Sequence, residues 1–123
     1  MVDSLILIID DEVAILKLFS QFLTSMGYRT ITAENSVEAI ERFEENAEEI
    51  KALVLDVHIP PAGASNFLDS VADQLTGIPL LLVSGKPLES GLNAKMERLG
   101  GTFLPKPFGP KKLLAWVREN SEV

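Results

Sequence analysis

Three carboxylates, a hydroxyl and an ammonium fall at the carboxyl ends of short apolar runs in this 123-residue chain. Asp10 and Asp11 close the run "LILIIDDE" at Leu5–Glu12, and Asp56 closes "KALVLDV" at Lys51–Val57. Ser84 closes "IPLLLVSG" at Ile78–Gly85, and Lys106 closes "TFLPK" at Thr102–Lys106. Two carboxylates about 5 Å apart repel by roughly 3 kcal/mol at an effective dielectric of ~20, a cost a fold tolerates where something positive binds. Clustered carboxylates are oxygen ligands for a hard cation, and Mg2+ takes one or two of them together with water and phosphate oxygens. A central carboxylate such as Asp56 could then attack phosphorus to give an acyl phosphate. The cation, Lys106 and the Ser84 hydroxyl would stabilise charge on the transferred oxygens. A single Asp or Ser at a strand end commonly does no more than cap a turn. All five at the ends of successive strands ask for a shared role.

The elements that must position them are legible in the hydrophobic pattern. Apolar runs this short and continuous read as strands buried on both faces, and "RTITA" at Arg29–Ala33 and "TFLPK" are weaker strands. Ile15, Phe19, Phe22 and Met26 recur at helical spacing, as do Leu88, Leu92, Met96 and Leu99 ahead of a Gly100–Gly101 stop. Val37, Ile40 and Phe43 mark a helix with Asn35 as its cap and Glu38 three residues on. Phe67, Val71 and Leu75 mark another, and Pro110 suits the first turn of a last helix carrying Leu113 and Val117. Strands alternating strictly with helices predict an α/β domain with a parallel sheet. In such open sheets the loops at the carboxyl ends of the strands form the site.

Composition narrows the chemistry. The chain has room for one domain, and its 46% hydrophobic and 24% charged residues are ordinary for a globular protein. Eleven basic against 18 acidic residues give a formal charge of −7, which disfavours direct contact with nucleic acid. The acidic run "ERFEENAEEI" at Glu41–Ile50 reads as a solvated helix face. Without cysteine there is no disulfide, thiolate nucleophile or Cys-ligated zinc, and a single histidine makes no His-rich metal site. "MVDS" lacks the character of a signal peptide, and no apolar run has the length to cross a membrane. The expectation is a soluble, cytoplasmic protein.

The ordered set "IIDDE", "VLDVHIP", "LLLVSG" and "FLPKPF" resembles the receiver domain of bacterial two-component response regulators over essentially the whole chain. The resemblance implies a doubly wound (βα)5 sandwich of the flavodoxin and CheY type, its five parallel strands in the order 2-1-3-4-5. It implies one receiver domain over residues 1–123 with no output domain in this chain, so that output passes through protein contact. Asp56 would be the phosphoacceptor. Asp11 would bind Mg2+ directly and Asp10 largely through water, with Asp56 and the His58 backbone carbonyl completing the protein ligands and Mn2+ as a substitute. Ser84 and Phe103 would form the switch, and Lys106 would pair with the phosphoryl group and Asp56 across a cis Lys106–Pro107 bond. The His58 side chain and Lys86 flank the same place as tuning positions. The implied donor is a sensor histidine kinase or a histidine phosphotransfer protein. The implied output is an unidentified protein target, with neither nucleic-acid contact nor membrane insertion. Such a chain catalyses at most its own phosphorylation and dephosphorylation. One departure stands out: the family often carries Asp-Gly a few residues after the Pro that follows the acceptor strand, whereas "PPAGASN" places Gly63 early and Ala64 where Gly is expected.

Two other readings compete. A haloacid-dehalogenase-type phosphatase also uses an Asp nucleophile with Mg2+, but "DVH" puts His58 where its second acid belongs. A receiver-like interaction module that is never phosphorylated usually lacks part of the acidic pocket, which is complete here. Glu12 reads as a solvated acid at a helix start. Trp116 lies off the Leu113/Val117 stripe, half exposed, beside a basic rim of Lys111 and Lys112.

Overall fold

The first strand carries no polar residue because both of its faces are covered. The computed structural model describes residues 4–121. It runs β1 (Leu5–Ile9), α1 (Val13–Ser25), β2 (Arg29–Ala33), α2 (Ser36–Asn46), β3 (Ile50–Asp56), α3 (Gly63–Ser70), β4 (Leu80–Ser84), α4 (Ser90–Arg98), β5 (Thr102–Pro105) and α5 (Pro110–Ser121). All strand pairs are parallel, in the order β2-β1-β3-β4-β5. Among the described residues no helix is long and apolar enough to cross a membrane.

Strand alternation sorts the side chains into two cores. Leu5, Leu7 and Ile9 turn towards α2, α3 and α4, where Phe43, Phe67, Leu92 and Met96 wait. Ile6 and Ile8 turn to the opposite layer, onto Leu16, Phe19 and Leu23 of α1 and Leu113 and Val117 of α5. Each fully buried aliphatic side chain contributes about 1.5–3 kcal/mol relative to exposure. Phe43 meets Phe67 edge to face in the first core, and Phe19 stacks on Phe108 in the second. Trp116 packs half-buried against the second core, and its shielded Nε1 has no hydrogen-bond partner among the described residues.

The helical stripes differ from the expected ones in detail. On α1 the buried line is Leu16, Phe19 and Leu23; Ile15 and Phe22 flank it half-buried, and Met26 caps the helix 42% exposed. Apolar residues at 15, 16, 18, 19, 22 and 23 form a broad face, and contact with both the sheet and α5 selects its centre. Phe67, Val71 and Leu75 are all buried, but α3 ends at Ser70 and a tight turn at Ala72–Gln74 carries the chain on. Asn35 caps α2, its side chain accepting the Glu38 N–H at 2.8 Å. α4 begins at Ser90, after Leu88, and Glu89 at its cap position makes no side-chain cap bond. It stops at Gly100, φ +71, where the Gly101 N–H reaches Met96 O at 2.9 Å. A Cβ on Gly101 would lie 2.8 Å from Met96 Cγ and 3.2 Å from Leu80 Cδ2. Only glycine lets β5 leave α4 so closely.

Candidate functional site

The ends of β1, β3, β4 and β5 meet at one edge of the sheet, and the backbone ladder runs one step past the strands to hold them. Asp10 N–H donates to Ala33 O at 3.1 Å, Val57 N–H to Val83 O at 3.0 Å, and Lys106 N–H to Ser84 O at 2.8 Å. Three strand-end loops are thereby fixed relative to their neighbours.

The two buried acids are held in the same way. Asp10 Oδ1 accepts the N–H of Glu12 at 2.9 Å, and Asp56 Oδ1 accepts the N–H of His58 at 3.3 Å, each two residues on. These are Asx turns, the local hydrogen bond that aspartate makes as a chain leaves a strand. Both remaining Oδ2 atoms face Lys106, whose Nζ lies 2.9 Å from Asp10 and 3.4 Å from Asp56. Glu12 Oε1 also reaches that ammonium, at 3.2 Å. The solvated role expected for Glu12 omits this contact, because the spacing of residues 12 and 106 says nothing of their meeting in space.

Burial sets the electrostatics. Asp10 and Asp56 are each 3% exposed, whereas Asp11 is exposed. Desolvation pushes the Asp10 carboxyl above the ordinary carboxylate range, against the Glu12 N–H and the Lys106 ammonium, which stabilise its charged form; the charge of Asp56 adds to the rise. Desolvation alone would lower Lys106, but Asp10, Asp56 and Glu12 outweigh it and hold the ammonium above its usual range. Asp10, Asp11 and Asp56 each offer a carboxylate oxygen, and these oxygens lie within 4.8 Å of one another. Hard oxygen donors converging this closely, with Asp11 open to solvent, fit a hard divalent cation such as Mg2+.

Ser84 is 1% exposed, and its Oγ accepts the Lys86 N–H at 3.1 Å. The His58 ring is exposed, with Nε2 3.5 Å from Ser84 Oγ. The backbone of Lys86, rather than its exposed ammonium, thus contacts the serine. Phe103 is half-buried in the core of α2, α3 and α4, and pairs in register with Leu82, two residues before Ser84 on the same face of the sheet. Lys106–Pro107 is cis, as is Pro60–Pro61.

The departure in "PPAGASN" has a structural counterpart. Gly63, not residue 64, takes the positive φ (+84) and opens α3. Ala64 is buried, its N–H donating to Val57 O at 3.2 Å. The buried Ser36 at the start of α2 braces the loop, donating its N–H to Pro60 O at 2.7 Å and accepting the Ala62 N–H at 3.2 Å.

Comparison with known proteins agrees with this arrangement. A family model described as the response regulator receiver domain matches residues 6–118. The chain is 30% identical over 113 residues to the alkaline phosphatase synthesis transcriptional regulatory protein PhoP of Bacillus subtilis (strain 168), across 92% of this chain and 46% of that protein. It therefore spans about half the length of that relative. Among solved structures, the receiver domain of the hybrid histidine kinase CckA superposes with a TM-score of 0.82 at 29% identity, covering 97% of this chain and all of that one. A CheY-like receiver domain protein of Methanospirillum hungatei JF-1 shares the fold with a TM-score of 0.84 at 24% identity, over 96% of this chain and 93% of that one.

Proposed function

The chain belongs to the response regulator receiver domain family of two-component systems, and from that premise we propose that Asp56 accepts a phosphoryl group from a phosphohistidine donor. The observation that carries the reading is the placement of Asp56. Its carboxylate ends a buried strand, 3% exposed, with Lys106 Nζ at 3.4 Å and the oxygens of Asp10 and Asp11 close by.

In the proposed reaction an Asp56 carboxylate oxygen attacks phosphorus as the P–N bond to the donor imidazole breaks. The imidazole leaves and takes up a proton, and an acyl phosphate remains on Asp56. Lys106 would neutralise charge on the transferred group, and the Ser84 hydroxyl would donate to one of its oxygens. Mg2+ held by Asp11, Asp56 and the His58 carbonyl, and through water by Asp10, would offset further negative charge on those oxygens. Ser84 moving towards the phosphoryl group vacates space beside β5, and Phe103, which has no hydroxyl to hold it outside, follows by packing alone. A partner that binds the two states with different affinity reads the change. In this reading the chain is a phosphoacceptor working through protein contact in the cytoplasm, with a histidine kinase or phosphotransfer protein upstream.

Intact-mass measurement after incubation with Mg2+ and acetyl phosphate tests it. The expected result is a gain of one phosphoryl mass that is absent in Asp56→Asn. An adduct that persists in that variant, or full labelling without divalent metal, overturns the assignment.

A further inference from the structure

Lys106 is shared by three carboxylates that differ in what else they can do. Asp10 and Asp56 have side chains 4% and 5% exposed and belong to the converging oxygen cluster; Glu12 is 61% exposed and stands outside it. Each buried acid already gives one oxygen to a backbone N–H and the other to Lys106. A cation drawing on those acids, directly at Asp56 and through one of its waters at Asp10, therefore competes with the ammonium for the same oxygens. Lys106 stands to lose its shortest contact, the one to Asp10, while its own side chain remains only 19% exposed. An ammonium so placed is costly without a partner. Glu12, reaching in from solvent at 3.2 Å, is the acceptor that the cation does not claim.

We propose that Glu12 is a positioning residue: it receives the Lys106 ammonium when a divalent cation engages Asp10 through its bound water, and so keeps Lys106 beside Asp56. This rests on the phosphoacceptor reading above. Two properties separate the role from a general effect of negative charge. It requires the length of a glutamate, and it vanishes without the lysine.

The experiment is calorimetric titration of the whole chain with Mg2+, with no phosphodonor present. The parent is compared with Glu12→Gln, Glu12→Asp, Lys106→Met and the Glu12→Gln/Lys106→Met pair, urea midpoints confirming that each is folded. Glu12→Gln is expected to weaken Mg2+ binding by about five- to tenfold, a coupling of ordinary size for contacting charges. Glu12→Asp should lose a similar amount although its charge is kept. Glu12→Gln should change nothing in the Lys106→Met background. An equal loss in both backgrounds, or a Glu12→Asp variant that binds like the parent, overturns the proposal. Failure of the phosphoacceptor reading itself would look different: a parent that binds Mg2+ with this coupling yet gains no phosphoryl mass from acetyl phosphate.

Discussion

The strands that carry the acids and the elements beside β5 are built to different standards of rigidity. Every residue of β1 and β4 is buried, as is every residue of β3 except Lys51, whereas no residue of β5 is. α2 has a side-chain cap; α4 has none and buries only Leu92 and Met96. Ser84 ends the last fully buried strand, at the border between the two regions. The carboxylates and the Ser84 hydroxyl, which must be held to a fraction of an ångström, sit on the stiff part, and Lys106 reaches them from the end of β5. The elements with least burial to lose lie next to them, where a small local change moves them at low cost.

The largest test of this contrast is a pair of truncations. Leu53→Ala, in the centre of β3 at 0% exposure, should cost about 2–5 kcal/mol in urea unfolding. Phe103→Ala on half-buried β5 should cost less than that, although it removes more atoms. Equal losses would erase the distinction between the two regions.

A smaller effect compares helix starts. Asn35→Ala should destabilise by about 1 kcal/mol because it removes the bond to the Glu38 N–H. Glu89→Ala, at the matching position of α4, should leave the urea midpoint nearly unchanged, since Glu89 caps nothing. A loss there as large as at Asn35 would reveal a cap that forms in solution.

The smallest effect is pH-dependent and concerns the stiff region alone. Burial raises the Asp10 carboxyl, so the folded state holds that proton more tightly than the unfolded chain does. The resulting stabilisation is complete below the ordinary Asp value of about 3.9 and is lost as pH rises through the raised value. Asp10→Asn escapes that loss. Without metal it should be more stable than the parent at pH 7, with the advantage gone at pH about 3. A parent that outlasts the variant at pH 7 would mean that the pairing with Lys106 outweighs desolvation.

Legibility in the sequence follows the same division. β1, β3 and β4 stand out because strands covered on both faces admit few polar residues, and past Lys51 near the start of β3 the first ones met are the strand-end acids and Ser84. Asn35 is readable because its hydrogen bond is local. The buried line of α1 is not, since a broad apolar helix has no unique centre until α5 packs against it. Nor is the meeting of Glu12 with Lys106, a contact between residues far apart in the chain. The Asx turns at Asp10 and Asp56 are legible as well, since strand-end aspartate commonly caps a turn, and here each acid does so with one oxygen while the other faces Lys106.

The lone tryptophan has a spectroscopic consequence. Trp116 packs against the core shared by α1 and α5, and its indole nitrogen is shut off from water with no acceptor among the described residues. Its emission therefore reports on that layer alone, shifting to the red when water reaches the ring. Far-ultraviolet ellipticity averages over helices on both sides of the sheet. The two signals form a built-in pair of probes: coincident midpoints mean that both layers melt as one unit, and a gap between them dates the opening of the α2, α3 and α4 side.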